Sequence, residues 1–323
     1  MIRLRTIDEQ RELVESFTRP AETLLPLARL RDGASPDGAN WTRLAELGWL
    51  GISLGEGQGG IGLGPVEEAL AAETLGRCLI SPCFLATVIA ARVAEAQGQT
   101  ELARQLGTGS CRAALGVGRS SSPDVYAADA EDCAVVVLIA PDSIGVSSIE
   151  AASVHDAVHW SVPVHSIVAP KVLSKTGDDG TIAFARLLGA ATLAGIASRS
   201  CELGVDYAKV REQFGQPIGG FQAVKHHCAN MAIAAYAARE LVNYAAMALE
   251  DEDPEAATLA AAAINVAARA ARHNAALCVQ IHGGIGFSAE ADPHHFVKRA
   301  HVLEAAYSGI GAIRNVLVSQ GLR

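Results

Sequence analysis

Basic charge, aromatics, paired cysteines and uninterrupted apolar runs are all scarce in this chain, and each scarcity excludes something. Its 323 residues carry 26 Lys and Arg against 35 Asp and Glu, a formal net charge of −9. With no basic cluster to offset that charge, neither a nucleic acid nor an anionic membrane surface is an expected partner. The richest apolar stretch, between Ala256 and Ala271, is interrupted by Arg269 and followed by Arg272, so no bilayer span is expected. The first residues include Arg3, Arg5, Asp8, Glu9, Arg11 and Glu12, which leaves no apolar leader segment to read there. The seven cysteines (Cys78, Cys83, Cys111, Cys133, Cys201, Cys228 and Cys278) are odd in number and lack metal-ligand spacing. They fit reduced thiols in a cytoplasmic protein, with no metal site. Aromatics make up only 5% of a chain that is 50% hydrophobic, because alanine dominates the C-terminal half. Small side chains at helical spacing imply closely packed helices.

The pattern divides into three expected domains, residues 1–109, 110–180 and 181–323. The first reads as helices around Glu9 to Phe17, Trp41 to Leu47, Pro65 to Leu75 and Ala86 to Ala94, broken by a glycine loop at Gly59, Gly60, Gly62 and Gly64. The middle turns β-rich at Cys133 to Ile139, Ala157 to Val164 and Ile167 to Val172, a small β-domain. The last is helical again. A first helix is expected from Ala183 to about Phe214, with Phe214 and Gly215 closing it and Pro217 blocking continuation. A second carries Phe221, Val224, Cys228, Met231, Ala235, Ala238 and Val242 on one face. Asp253 and Pro254 supply an N-cap and first position for a third, which stops at Gly283 and Gly284. A shorter helix follows Pro293, and the segment from Gly311 to Val318 closes the chain. The fold class is therefore mainly α with a small β-domain and a C-terminal four-helix bundle.

Several residues near the helix ends make chemical sense together. Arg211 is expected in a last helical turn, where its guanidinium fork can meet a phosphate. Gly283 and Gly284 expose backbone with no side chain in the way of a planar or anionic ligand. Gln222 and Gln280 offer amides, while Phe214, Ile218 and Phe221 offer apolar surface. Each alone has an ordinary reading: a cation favoured by a helix C-terminus, a helix stop, a solvated amide, a bundle core residue.

The ordered set Arg211, Phe214, Gly215, then Gln280, Gly283, Gly284, Gly286 resembles the C-terminal domain of the acyl-CoA dehydrogenases. The resemblance extends to the N-terminal third through the segments beginning at Trp41, at Gly59 and at Glu73. It implies an FAD-dependent oxidation of acyl-CoA thioesters to enoyl-CoA, with electron-transfer flavoprotein as acceptor. It also implies that Arg211, Phe214, Ile218, Phe221, Gln222, Gln280, Gly283 and Gly284 contact the ADP part of FAD. In the family a Glu base usually stands just before the last helix, and in some members near the start of the first bundle helix. Here those positions are Tyr307, in the run Ala306, Tyr307, Ser308, Gly309, and Ala185, beside Arg186. A phenol with a reference pKa near ~10 is a poor base. The flavin-ring motifs of the middle domain are also missing, and Trp160 there is read as a core or interface aromatic.

What the chain keeps is what one subunit of the family lends to its neighbour. The resemblance therefore implies a non-catalytic β-type subunit that completes the FAD site of a catalytic dehydrogenase partner, as an α2β2 assembly. The partner would hold most of the acyl-CoA, with steroid side-chain or fatty acyl character. Two other readings stand beside it: a self-sufficient homomeric dehydrogenase using Glu304 as an unusual base, and a structural or regulatory homologue without flavin. The pairs His226, His227 and His294, His295 are not expected to bind metal, since adjacent helical residues diverge by about 100°.

Overall fold

The computed structural model describes residues 7–31, 40–118, 125–155, 163–167 and 171–307, with side chains from residue 12 onward. The N-terminal helices are α1 (Ile7–Leu24), α2 (Trp41–Glu46), α3 (Pro65–Arg77), α4 (Pro82–Ala96) and α5 (Thr100–Gly107). Their starts follow from local chemistry. Pro65 and Pro82 occupy first helical positions, where the missing N–H costs nothing. The Glu67 carboxylate accepts the Gly64 N–H at 2.9 Å, and Ser81 Oγ accepts the Cys83 N–H at 3.1 Å.

Among the described residues seven strands follow: β1 (Ala113–Gly118), β2 (Val125–Ala128), β3 (Val135–Ile139), β4 (Ile144–Ser148), β5 (Ala152–His155), β6 (Val164–Ile167) and β7 (Val172–Thr176). They form one sheet in the order β5-β6-β2-β1-β3-β4-β7, antiparallel except for β1 and β3. Val135 and Val137 turn to the main core with Leu115, Ile144 and Val146, while Val136 turns to a second cluster with Ala114, Val125, Ala127 and Ile167. The continuous Val-Val-Val run thus reflects a strand covered on both faces. The run expected from Ile167 to Val172 divides between the end of β6 and the start of β7. Of the run expected from Ala157 to Val164, only its end is described, where Val164 opens β6. Trp160 and the segment from Gly311 to Val318 lie outside the described residues.

The C-terminal helices are α6 (Asp179–Val210), α7 (Gln222–Glu250), α8 (Ala256–His282) and α9 (Pro293–Ala306). Asp178 caps α6 by accepting the Thr181 N–H at 2.7 Å, so that helix begins four residues before the expected Ala183. The other boundaries also shift. Asp253 accepts the Glu255 N–H at 2.8 Å and holds a turn, and α8 starts at Ala256 rather than at Pro254. Phe214 and Gly215 do not close a helix. α6 ends at Val210, and a two-residue hairpin follows, β8 (Glu212–Gln213) and β9 (Gln216–Pro217). Phe214 has φ +52° and Gly215 φ +79°, the two positive values that a hairpin turn of the I′ kind requires. The Phe-Gly pair therefore turns a strand ribbon, a role that helical periodicity could not separate from a helix stop.

α6 is the central helix and packs on α3, α7, α8 and α9. It is long and apolar enough to cross a membrane, yet 94% of its most apolar window is buried within the protein. A Cβ on Gly195 would strike the Glu73 carbonyl, and one on Gly76 the Thr192 carbonyl, so the two glycines let α3 and α6 touch backbone to backbone. Arg77 adds a bidentate pair to Glu202, both bonds 2.8 Å. In the alanine-lined bundle the fully buried Asn274 donates to the Ala197 carbonyl at 3.0 Å and the Met231 carbonyl at 2.8 Å, pinning α6, α7 and α8 together.

Candidate functional site

α8 ends because Gly283 adopts φ +65°, ψ −142°, a backbone region open almost only to glycine. A 3-10 turn over Gly283–Phe287 carries the chain away from the bundle. Opposite it, the extended backbone of Arg211 (φ −74°, ψ 121°) leads α6 into the hairpin. The Ile218 N–H donates to the Arg211 carbonyl at 2.8 Å and fixes the return of the ribbon. Between these two helix ends lies a cleft of about 390 Å³, lined by Tyr207, Arg211, Gln213, Ile218, Ile281, His282, Gly283, Gly284 and Ile285.

Four residues singled out from the sequence, Arg211, Ile218, Gly283 and Gly284, meet in this cleft. The Arg211 side chain has no ion-pair partner among the described residues, although its backbone N–H donates to the Tyr207 carbonyl at 2.9 Å. A Cβ at Gly283 or Gly284 would meet no atom within 4 Å, so both backbones border open space. The other four do not line the cleft. Phe214 and Phe221 meet edge to face, ring centroids 6.1 Å apart, with Phe214 92% exposed. Gln222 and Gln280 are exposed on α7 and α8. Tyr207 and His282 were not anticipated. Their rings stack at 4.1 Å with a 20° interplanar angle and form one wall. A signal existed, because Tyr207 precedes Arg211 by one helical turn and so shares its face.

The two expected base positions also meet, in the core. The Tyr307 hydroxyl donates to the Ala185 carbonyl at 2.8 Å, and the ring is 2% exposed. The side chain rests over Gly189, where an added Cβ would lie 2.6 Å from the hydroxyl oxygen. Ala185 and Gly189 lie one turn apart on α6 and form a shallow seat for the phenol. Burial pushes the Tyr307 pKa far above its usual value, so the group stays a neutral donor. Arg186, the next residue, turns away and donates to the Pro141 carbonyl at 2.5 Å. Glu304 lies one helical turn before Tyr307, and its carboxylate sits 3.2 Å from Arg272 Nε and 4.0 Å from His301 Nδ1. His294 and His295 are buried side by side, ring centroids 4.0 Å apart.

An N-terminal helical layer, a small mixed sheet and an alanine-rich bundle define a helix–sheet–helix protein with an unpaired cation beside bare backbone at the bundle's end. Comparison with known proteins gives that class its family. Residues 7–111 match the acyl-CoA dehydrogenase N-terminal domain and residues 179–320 the acyl-CoA dehydrogenase C-terminal domain. The acyl-CoA dehydrogenase IpdE2 of Mycobacterium tuberculosis is 32% identical over 282 residues, covering 82% of this chain and 81% of that protein. The acyl-CoA dehydrogenase FadE34 of the same organism is 40% identical over 159 residues, 48% of this chain but only 22% of FadE34. The fold also matches the crystal structure of the ChsE4-ChsE5 complex from Mycobacterium tuberculosis, with TM-score 0.81, 21% identity and 99% of each chain covered. The chain belongs to the acyl-CoA dehydrogenase family.

Proposed function

We propose that this chain is the FAD-completing, non-catalytic subunit of a two-component acyl-CoA dehydrogenase. The observation that carries the reading is the bond between Tyr307 and the Ala185 carbonyl. The two places where the family's base is expected touch each other, and neither holds a carboxylate. The catalytic partner then contributes the base and most of the acyl-CoA contacts. FAD held beside Arg211, Gly283 and Gly284 would supply the two-electron acceptor for oxidation of an acyl-CoA to enoyl-CoA, with the base on the partner and electron-transfer flavoprotein as the onward acceptor.

This chain's own contribution is to bind and orient. Arg211 places a fixed charge where a diphosphate can accept two parallel N–H bonds. Gly283 and Gly284 let a flat group approach the backbone, and Tyr207 presents an aromatic wall. The cleft lies among exposed apolar side chains, Val210 at 75%, Phe214 at 92%, Ile285 at 45% and Phe287 at 77%. Such a rim favours cover by another subunit, and within it Phe214, Ile218 and Phe221 pack near the adenosine while Gln222 and Gln280 supply amide hydrogen bonds. An α2β2 assembly in the cytoplasm acting on steroid side-chain or fatty acyl-CoA completes the proposal. The domains are taken as 1–109, 110–180 and 181–323. The homomeric alternative needs Glu304 as base, and Arg272 already engages that carboxylate.

The test is flavin content, measured by absorbance on the chain made alone and after co-expression with a full-length dehydrogenase partner. Little flavin alone and about one FAD per heterodimer in the complex is the expected result. Arg211→Ala should then weaken FAD retention by about 10–100-fold, the loss of charge-assisted bonds worth ~1.5–3 kcal/mol. Full occupancy with acyl-CoA-dependent bleaching in the isolated chain would overturn the reading.

A further inference from the structure

His282 shares the cleft with Arg211 and is held in one orientation from two sides. Its ring stacks on Tyr207, and its two polar contacts among the described residues run through Nδ1, at 2.8 Å from the Cys278 carbonyl and 3.8 Å from Cys278 Sγ. A carbonyl oxygen can only accept, so Nδ1 carries the proton in that bond. The neutral ring then holds a lone pair on Nε2. Toward an anion that lone pair is repulsive, and the same atom becomes a charged donor once protonated.

We propose that His282 is a second phosphate-binding residue of the cleft, one that engages a diphosphate by taking up a proton at Nε2. The inference rests on the nucleotide half-site reading and adds proton uptake to it. Arg211 provides a guanidinium fork, and His282 provides a charge that appears only when ligand and proton arrive together. The diphosphate of an ADP-containing ligand has the charge for both, and it can extend along the cleft between the end of α6 and the end of α8.

The surroundings decide the direction. From α6, Tyr207 and Arg211 face the cleft; from its own helix, the Cys278 carbonyl and thiol face the ring. Beyond the 3-10 turn, Asp292 acts on the ring at longer range and is itself paired with Arg31 at 2.8 Å. Burial outweighs the favourable Cys278 and Asp292 influences and keeps the pKa of His282 below the usual histidine value. The free ring is therefore neutral near pH 7, and an incoming diphosphate raises its pKa. A group whose pKa is higher in the bound state strengthens binding as pH falls through that bound-state value, and the gain levels off below the free-state value.

The experiment is a pH titration of the chain, alone and co-expressed with a catalytic partner, carrying 13C-labelled histidine, with ADP as the probe. Of the ten histidine signals, one should titrate at higher pH when ADP is present, and that signal should vanish in His282→Asn. ADP should bind about three- to tenfold more tightly at pH near 5.5 than at pH near 8, and this dependence should flatten in the variant. Arg211→Ala should weaken ADP binding at every pH. Saturable, Arg211-dependent ADP binding that leaves the His282 titration unmoved would overturn the inference and leave the half-site standing. No saturable response up to about 10 mM ADP, a ceiling near −3 kcal/mol of binding, would remove the half-site itself, and this inference with it.

Discussion

Replacing Tyr307 with Phe separates a structural phenol from a catalytic one. The substitution removes a single oxygen from a side chain that is 2% exposed and leaves the ring over Gly189 in place. One 2.8 Å hydrogen bond is lost, to the Ala185 carbonyl. That carbonyl lies inside α6 and keeps its helical partner, so no buried acceptor is orphaned and the cost should be about 1 kcal/mol. For a chain of this size the melting temperature should fall by about 2 °C. Because burial holds the phenol neutral, no proton transfer is lost with it, and turnover in the assembled enzyme should stay within about threefold, under ~1 kcal/mol of barrier. The assay is steady-state acyl-CoA oxidation with a dye acceptor, beside a thermal melt and flavin content on the same sample. A hundredfold loss of turnover at normal flavin content and a near-normal melt would refute the argument and make Tyr307 a catalytic group.

Two further outcomes follow from buried polar groups. Burial lifts the Glu68 pKa from 4.5 to about 7, against the opposing Ser53 and Arg92 influences. The folded state therefore binds the extra proton, and stability present below pH 4.5 is lost as pH rises to about 7, by about 3 kcal/mol in all. Glu68→Gln should flatten that decline in denaturant melts taken from pH 4.5 to 8; an unchanged slope would mean that Glu68 is not its source. Asn274→Ala removes both cross-helix donations, to Ala197 and Met231, from a fully buried site and should cost about 2 kcal/mol. A differential scanning calorimetry trace matching the unaltered protein would show that alanine packing alone aligns α6, α7 and α8.

The family, the three-part order of helix, strand and helix, and four residues of the cleft at the bundle's end were legible in the chain. Those depend on local chemistry: the 3.6-residue periodicity of α7 and α8, the β-branched run Val135 to Val137, and a glycine at 283 where the backbone must adopt positive φ. Gly283, Gly284, Arg211 and Ile218 could be matched as a set because their spacing is written in the chain. The strands from Ala113, Val125 and Ile144 escaped notice, since short segments gain their β-structure from neighbours that sequence does not display. Phe214 and Gly215 show the same limit: positive φ at both positions fits a helix stop or a hairpin, and only the pairing of Glu212 with Pro217 decides between them. Tertiary structure alone placed His282 against Tyr207, and seated the Tyr307 hydroxyl on Ala185 from 122 residues away. It also turned Glu304 toward Arg272. Which face of a helix a side chain occupies is set by its own turn, but what waits opposite is set by how the helices pack.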